Sequence, residues 1–497
     1  MPPICLSDWS VDMKDPNLFS IRVLSPVHIG CDEVYEPMSF VIDENAGRLI
    51  SFDPQTFIRG LGEGDKRNFS EICRKGTLES LLELYKFMRG RNVPGHAVNI
   101  CPGLVDDYRR TLRLSVTDGR KIQQELNNFS IARTAFNLYT QLPYLPGSAI
   151  KGAFRTAYLD RQSQSRSGAA GRQVDGGPTR VSGREAKELE KTLLDGGSFE
   201  TDPFRMLKIS DFIPAGPVKT RVVYAVNEKK VPSKFKARGP YQILEVIEPG
   251  AVFVGTIGII EPEKTAGIKN PLRRETLFDS VAGFYTREKR REDDELREID
   301  VSPIDGHLAG MLALARIGRH SGAESVTIEG HRRIRIMKGK GERPGTSDHA
   351  TTFWLASDAS KSYAKTQLRP FGWVVIGDAD ALRIDLPAEQ PSVESLTEAD
   401  MAKDQAPQPV LEPQTMAAIP APEQSALVKL LDELRIIAGT DAGRIGTVIQ
   451  KIEKLESHAD RAAAATAVRD KIGPKAFKKH KRKEYIEGLI ATGTEVV

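Results

Sequence analysis

At 497 residues the chain is several times the ~150 typical of one domain, so several domains and an ample buried core are expected. Hydrophobic residues at 40% and charged residues at 28% exclude a fibrous or wholly disordered protein, and 71 Lys+Arg against 67 Asp+Glu leave a net charge of only +4. That average hides a segregation, because residues 386–424 carry seven acids against one lysine whereas residues 425–497 carry 14 bases against 10 acids.

The four cysteines, Cys5, Cys31, Cys73 and Cys101, form no C-x-x-C pair and read as free thiols of a reducing cytoplasm. The N-terminus has early acids and no apolar h-region, and the longest apolar run, residues 251–260, is half a membrane span. Neither export nor membrane insertion is expected, which leaves a cytoplasmic protein.

In chain order, FSIRVL from Leu18 reads as a strand, followed by a long loop, SPVHIGCDEVYEP, and by strands at residues 38–42 and 48–52. A helix over residues 55–59 leads into Gly60-Leu-Gly62-Glu-Gly64, whose spacing is wrong for a dinucleotide loop and suits a turn. Leu78 to Met88 has helical apolar spacing, and Arg110 to Val116 alternates like a strand. Ser148 is a good N-cap for a helix through Leu159, and residues 161–183, rich in Ser, Gly, Gln and Arg, read as a mobile insertion. YQILEVI and AVFVGTIGII, joined by Glu248-Pro249-Gly250, predict a buried hairpin. Residues 286–295 alternate in charge and predict a solvated helix, residues 307–317 a further helix, and residues 332–337, 351–356 and 372–376 strands. Strands interleaved with helices imply an α+β fold.

Seven prolines, no glycine and few large apolar residues make 386–424 an extended acidic linker. Beyond it, Leu427, Leu430, Leu431, Leu434 and Ile437, then Ile445, Ile449 and Ile452, mark the stripes of a small helical domain over 425–497. Lys475, Lys478, Lys479, Lys481, Arg482 and Lys483 cluster near its end.

The P-loop, H-E-x-x-H, G-x-S-x-G and kinase signatures are missing, and the eight histidines are scattered, so no catalytic residue, metal or cofactor is expected. Two basic segments suit a polyanion instead. Within LPGSAIKGAFR, Lys151 and Arg155 lie one helical turn apart beside Gly152, a candidate phosphate clamp. From Arg316 to Arg343, eight Arg/Lys against three acids include Arg316, Arg319, Arg332 and Arg333, with His320 and His331 between them.

The SPVHIG segment after a first strand, the LPGSAIKGAFRTAYL helix, the Pro-Gly-centred turn, the IGRHSG loop and the late RPFGWVVI together resemble the RAMP superfamily of CRISPR proteins. The order LSPVHIGCDEVYEPMSFVID, a short strand and FDPQTFI looks most like the Csm-type subunit capping type III-A effector complexes, over residues 18–376. The resemblance implies two ferredoxin-like, RRM-related modules, at residues 15–214 and 215–385. It implies binding of CRISPR RNA on its 3′-end side beside Csm-type backbone and small subunits, with target RNA touched in passing. His28, Gly30, Lys151, Arg155, Arg316, Arg319, His320, Arg332 and Arg333 become the expected RNA contacts. By analogy with the related backbone subunits, Asp32 or Glu33 would carry the alternative, metal-dependent cleavage of target RNA. A protein-protein scaffold without RNA contact is a second alternative.

Overall fold

The computed structural model describes residues 17–114, 123, 125–126, 129–167, 183–195, 199–233, 237, 239–306, 311–337, 343–361, 363–378, 430, 434, 445, 448–449, 451–452, 455, 457–473, 477 and 482–492. The chain divides into two compact units, Met1–Ser392 and Val393–Val497.

The first unit opens with strands β1 (Leu18–Val23), β2 (Gly30–Val34), β3 (Phe40–Asp43) and β4 (Arg48–Ser51), then helices α1 (Pro54–Gly60), α2 (Glu63–Lys75) and α3 (Leu78–Met88). There follow β5 (His96–Ile100), α4 (Pro102–Leu112), β6 (Ile131–Thr134), α5 (Gly147–Ser167) and α6 (Gly183–Leu194). The next run is β7 (Leu207–Ile209), β8 (Ile213–Pro214), β9 (Thr220–Lys229), β10 (Gln242–Ile247), β11 (Val252–Ile259) and α7 (Arg274–Glu298). Six strands complete it: β12 (Met311–Arg316), β13 (Ile334–Ile336), β14 (Gly345–Ser347), β15 (Thr352–Ser357), β16 (Arg369–Pro370) and β17 (Trp373–Asp378).

One sheet, of order β12-β17-β1-β11-β7 with β8 also on β11, is antiparallel throughout. Its core joins Phe19, Ile21 and Val23 of β1 to Phe154 and Ala157 of α5 and to Val281, Phe284 and Tyr285 of α7. A second sheet, β2-β6-β10-β9-β5-β4-β3, is mixed, with β15 on β9 and β16 on β15. β13 and β14 form a separate two-stranded ribbon. The fold is thus mixed α and β, and each sheet takes strands from both sides of residue 214/215.

Local chemistry explains the elements that match expectation. Thr77 caps α3, its Oγ1 accepting from the Ser80 N–H while the Ser80 hydroxyl accepts from the Thr77 N–H, and the helix covers 78–88 as the spacing requires. Strands β3, β4, β13, β15 and β17 fall within a residue or two of their expected ranges.

Four expectations are corrected. Of the strand read at 110–116, residues 110–112 are the end of α4, where Leu104, Val105, Tyr108, Thr111 and Leu112 make a buried helical stripe whose last turn mimics alternation, and residues 115–116 lie outside the described residues. Of the helix read at 307–317, residues 311–316 are strand β12 and 307–310 lie outside the described residues; a short run of small and apolar residues fits either element, and its place beside β17 decides. β10 and β11 do not pair as a hairpin, since β10 lies between β6 and β9 while β11 lies beside β1. Gly250, at φ +94, turns the chain from one sheet to the other, and its N–H donates to Val23 O. The charged helix at 286–295 is the middle of α7, and Glu288, Lys289 and Glu292 on it are buried. The turn expected at 60–64 is shorter than its glycines suggest, because helix α2 follows directly on Gly62.

The second unit contains α8 (His458–Ile472), whose Ser457 cap accepts from the Asp460 N–H, and α9 (Lys483–Thr492). Leu430, Leu434, Ile445, Ile449 and Ile452 of the expected stripes are buried together with Ala464, Val468, Phe477 and Ile486. Residues 168–182 of the expected insertion, the linker 386–424, and Lys338, Lys340, Lys475, Lys478, Lys479 and Lys481 lie outside the described residues. Among the described residues no helix is long and apolar enough to cross a membrane.

Candidate nucleic-acid interface

Because β1 and β12 both pair antiparallel with β17, they run alike, and the loops after β1 and β12 emerge at the same end as the loop entering β17. The SPVHIG, IGRHSG and RPFG segments therefore meet, although they are distant in sequence. Backbone bonds join them: Leu24 N donates to Trp373 O (2.9 Å), Gly372 N to Pro26 O (2.9 Å), Ile317 N to Gly372 O (2.9 Å) and Arg319 N to His28 O (2.8 Å). The Ser25 hydroxyl accepts from Trp373 N at 2.9 Å. Two glycines make this closeness possible. Gly318 (φ +81) and Gly372 (φ +90) adopt left-handed backbone, and a Cβ on them would stand 2.4 Å from His28 O and 2.5 Å from Ile317 O.

His28 is fully buried, and its Nδ1 lies 2.7 Å from Glu245 O, so that nitrogen donates to the carbonyl. Burial lowers the His28 pKa, the Glu245 carbonyl opposes the shift, and Arg319 adds to it. The His320 ring lies tilted 4.6 Å from that of Trp354, with Nε2 3.2 Å from Gln242 Oε1, and burial, then Arg319 and His28, pushes its pKa down to about 3. Both imidazoles are neutral at physiological pH, so neither offers positive charge to a phosphate. Arg319 does, with an exposed side chain on a backbone locked to His28. Gly30 is exposed at the start of β2.

Beneath the junction, Glu245 of β10 is buried, accepts from Thr134 N at 3.3 Å and lies 3.9 Å from Arg133 Nε. Burial raises its pKa, against Arg133. The Arg133 guanidinium sits 3.4 Å from the Phe136 ring centroid and 4.7 Å from that of Tyr35. Sequence reasoning missed this cluster; the available signal was one acid inside the otherwise apolar run ILEVI, a strand buried on both faces.

Lys151 and Arg155 share a face of α5, as their spacing requires, but that face packs on residues 202–207. Lys151 Nζ donates to Leu207 O (2.8 Å), and Arg155 bridges Asp202 and Glu190, each at 2.8 Å, over the Phe204 ring. Gly152 is exposed with nothing within 4 Å of where its Cβ would stand.

The basic stretch from Arg316 divides in two. Arg316 is buried on Glu292, whose other oxygen accepts from Trp373 Nε1 at 2.6 Å. Arg332 is buried on Glu288, and Lys230 pairs with Glu324 at 2.6 Å. Burial opposes charge on Glu288, and Arg291 and Arg332 overcome it. Arg333 and Arg335, at the base and on the first strand of the β13–β14 ribbon, are exposed. Asp32 and Glu33 are exposed on β2, an edge strand whose register with β6 shifts between Gly30 and Val34, and Asp32 has φ +60. Among the described residues no three His, Cys, Asp or Glu side chains are placed to hold a metal ion.

A curated relative, the CRISPR system Cms protein Csm5 of Methanocaldococcus jannaschii, is 26% identical over 195 residues, 38% of this chain and 41% of that protein. The match thus spans less than half of the relative's length. Two solved structures are similar across 72% of this chain. One is a chain of the cryo-EM structure of a Csm-crRNA-target RNA ternary complex in a type III-A CRISPR-Cas system, 19% identical with TM-score 0.46 over 100% of that chain. The other is the crystal structure of T. onnurineus Csm5, 17% identical with TM-score 0.40 over 99% of that chain. Residues 20–304, more than half of the chain and including both the SPVHIG loop and the helix bearing Lys151, match the model of the RAMP superfamily, and the chain belongs to that superfamily.

Proposed function

We propose that this chain is a noncatalytic, CRISPR RNA-binding subunit of a Csm-type, type III-A effector complex, capping the 3′-end side of the RNA and supporting its maturation. The observation that carries the reading is the junction of three loops, which sets exposed Arg319 and bare Gly30 on a frame tied to His28. A rigid, sequence-neutral backbone contact of that kind suits a guide whose spacer varies. Its partners are CRISPR RNA and the backbone and small Csm-type subunits, with target RNA met in passing. We assign RNA contact to Gly30, Arg319 and His320 at the junction and, separately, to exposed Arg333 at the base of the β13–β14 ribbon. Arg316, Arg332, Lys151 and Arg155 are committed to protein acceptors and are not assigned to RNA. Antiparallel strands under α5 and α7 are consistent with a ferredoxin-like module, and the paired stripes of the second unit with a small helical domain. The test is coexpression with Csm-type partners: the chain is expected to copurify with them and with mature CRISPR RNA, and partners recovered without RNA would favour a scaffold.

Asp32 favours one second reading, since its carboxylate and that of Glu33 are exposed on an edge strand where the register with β6 shifts. If it serves metal-dependent cleavage, Asp32→Asn with Glu33→Gln abolishes one target cut in the assembled complex. The noncatalytic reading expects every cut to persist.

A further inference from the structure

His28 holds an unused hydrogen-bonding atom. Its Nδ1 carries the proton donated to Glu245 O, so the neutral ring presents Nε2 as a lone-pair acceptor, and Nε2 is buried with no partner. A buried acceptor left unmade costs about 1–3 kcal/mol, so such an atom calls for an explanation. The surroundings supply one. Gly30 is exposed, and among the described residues the only heavy atom outside its chain neighbours within 4 Å of where its Cβ would stand is His28 Nε2, at 4.0 Å. The missing side chain therefore leaves room at the surface beside the acceptor, at a point 4.0 Å from Nε2. Gly30 has no left-handed φ to require glycine for backbone reasons. Arg319, joined to His28 O through its own N–H, stands at the same place with a charge suited to phosphate.

We propose that Gly30 and His28 form a ribose-reading site, in which the 2′-hydroxyl of an RNA nucleotide enters the space at Gly30 and donates to His28 Nε2, with Arg319 holding an adjacent phosphate. The inference rests on the RNA-binding reading and sharpens it: contact with RNA becomes discrimination against DNA. A fixed acceptor reads a hydroxyl because a deoxyribose or a 2′-O-methyl ribose brings no proton to it.

The test measures binding of the full-length chain to a single-stranded RNA, to the same sequence with 2′-deoxyribose, and to its 2′-O-methyl form. The wild type is expected to prefer RNA over both by about 3- to 10-fold, the worth of one hydrogen bond. Gly30→Ala, which meets no close atom and should fold normally, is expected to erase that preference while leaving affinity for the deoxy strand unchanged. Arg319→Ala should weaken all three ligands alike. Equal wild-type affinity for the RNA and deoxy strands, or an undiminished preference in Gly30→Ala, overturns the ribose site and leaves RNA binding standing. Failure to bind any strand overturns both.

Discussion

The ionic seam beneath α7 and the loop junction beside it draw on the same basic stretch of sequence, and Arg316 and Arg319 differ by only three positions. Arg316 ends β12 with its guanidinium turned under α7, where Glu292 and the Phe371 carbonyl accept from it. Arg319 lies beyond Gly318, where the chain turns out of the sheet. The first charge is desolvated and matched inside the protein, so it stabilises the fold without reaching a partner. The second is left to solvent, where it adds almost nothing to the fold and is available to a polyanion. Local density of positive charge thus says little about binding; what matters is whether strand direction delivers each guanidinium to an acid.

The comparison breaks most visibly at Glu292. Glu292→Ala leaves Arg316 buried without its carboxylate and the Trp373 N–H without an acceptor, an expected loss of about 3–5 kcal/mol in denaturant unfolding of the full chain. A loss below ~1 kcal/mol would mean that water relieves the seam. Next comes acid. Burial works against the charge of Glu324, but Lys230, Arg291 and the Ala350 N–H outweigh it and hold its pKa at about 2, below the ordinary 4.5. The stabilisation is therefore complete above pH 4.5 and lost as the pH falls toward 2, on the order of 3 kcal/mol in all. Comparing wild type with Glu324→Gln between about pH 6 and pH 3 should show the mutant losing much less of its own stability over that interval.

The smallest change in stability, and the sharpest contrast, is at Arg319. Arg319→Ala should shift unfolding by no more than about 0.5 kcal/mol, yet lower the log–log salt slope of single-stranded RNA binding by about 0.7. Arg155→Ala should do the reverse, destabilising by about 1 kcal/mol through Asp202 and Glu190 with the slope unmoved.

Periodicity was enough for α3, β1 and β17, whose patterns are long or whose caps are local. It was not enough for β12, where a short apolar run fits two elements, or for α7, whose acids find their bases 24 to 44 positions away and their indole 81 positions away. The SPVHIG and IGRHSG segments were legible as motifs. Their meeting was not, because it depends on β17 arriving between β1 and β12. Nor was the fate of Lys151 and Arg155, since helical spacing places two cations on one face without saying what that face will touch.

That late arrival of β17 also shapes how the protein is made. Strand β1 leaves the ribosome well before β17, so Ser20 waits for its hydrogen bond to Asp378 O, 358 residues further on. At about 5–20 residues per second, one edge of β1 stays open for roughly 20 to 70 s of synthesis. The backbone of residues 19–23 lacks its β17 partner on that edge for the whole interval, so a nascent chain stalled before Trp373 is the form of this protein most exposed to wrong pairing and most in need of a chaperone.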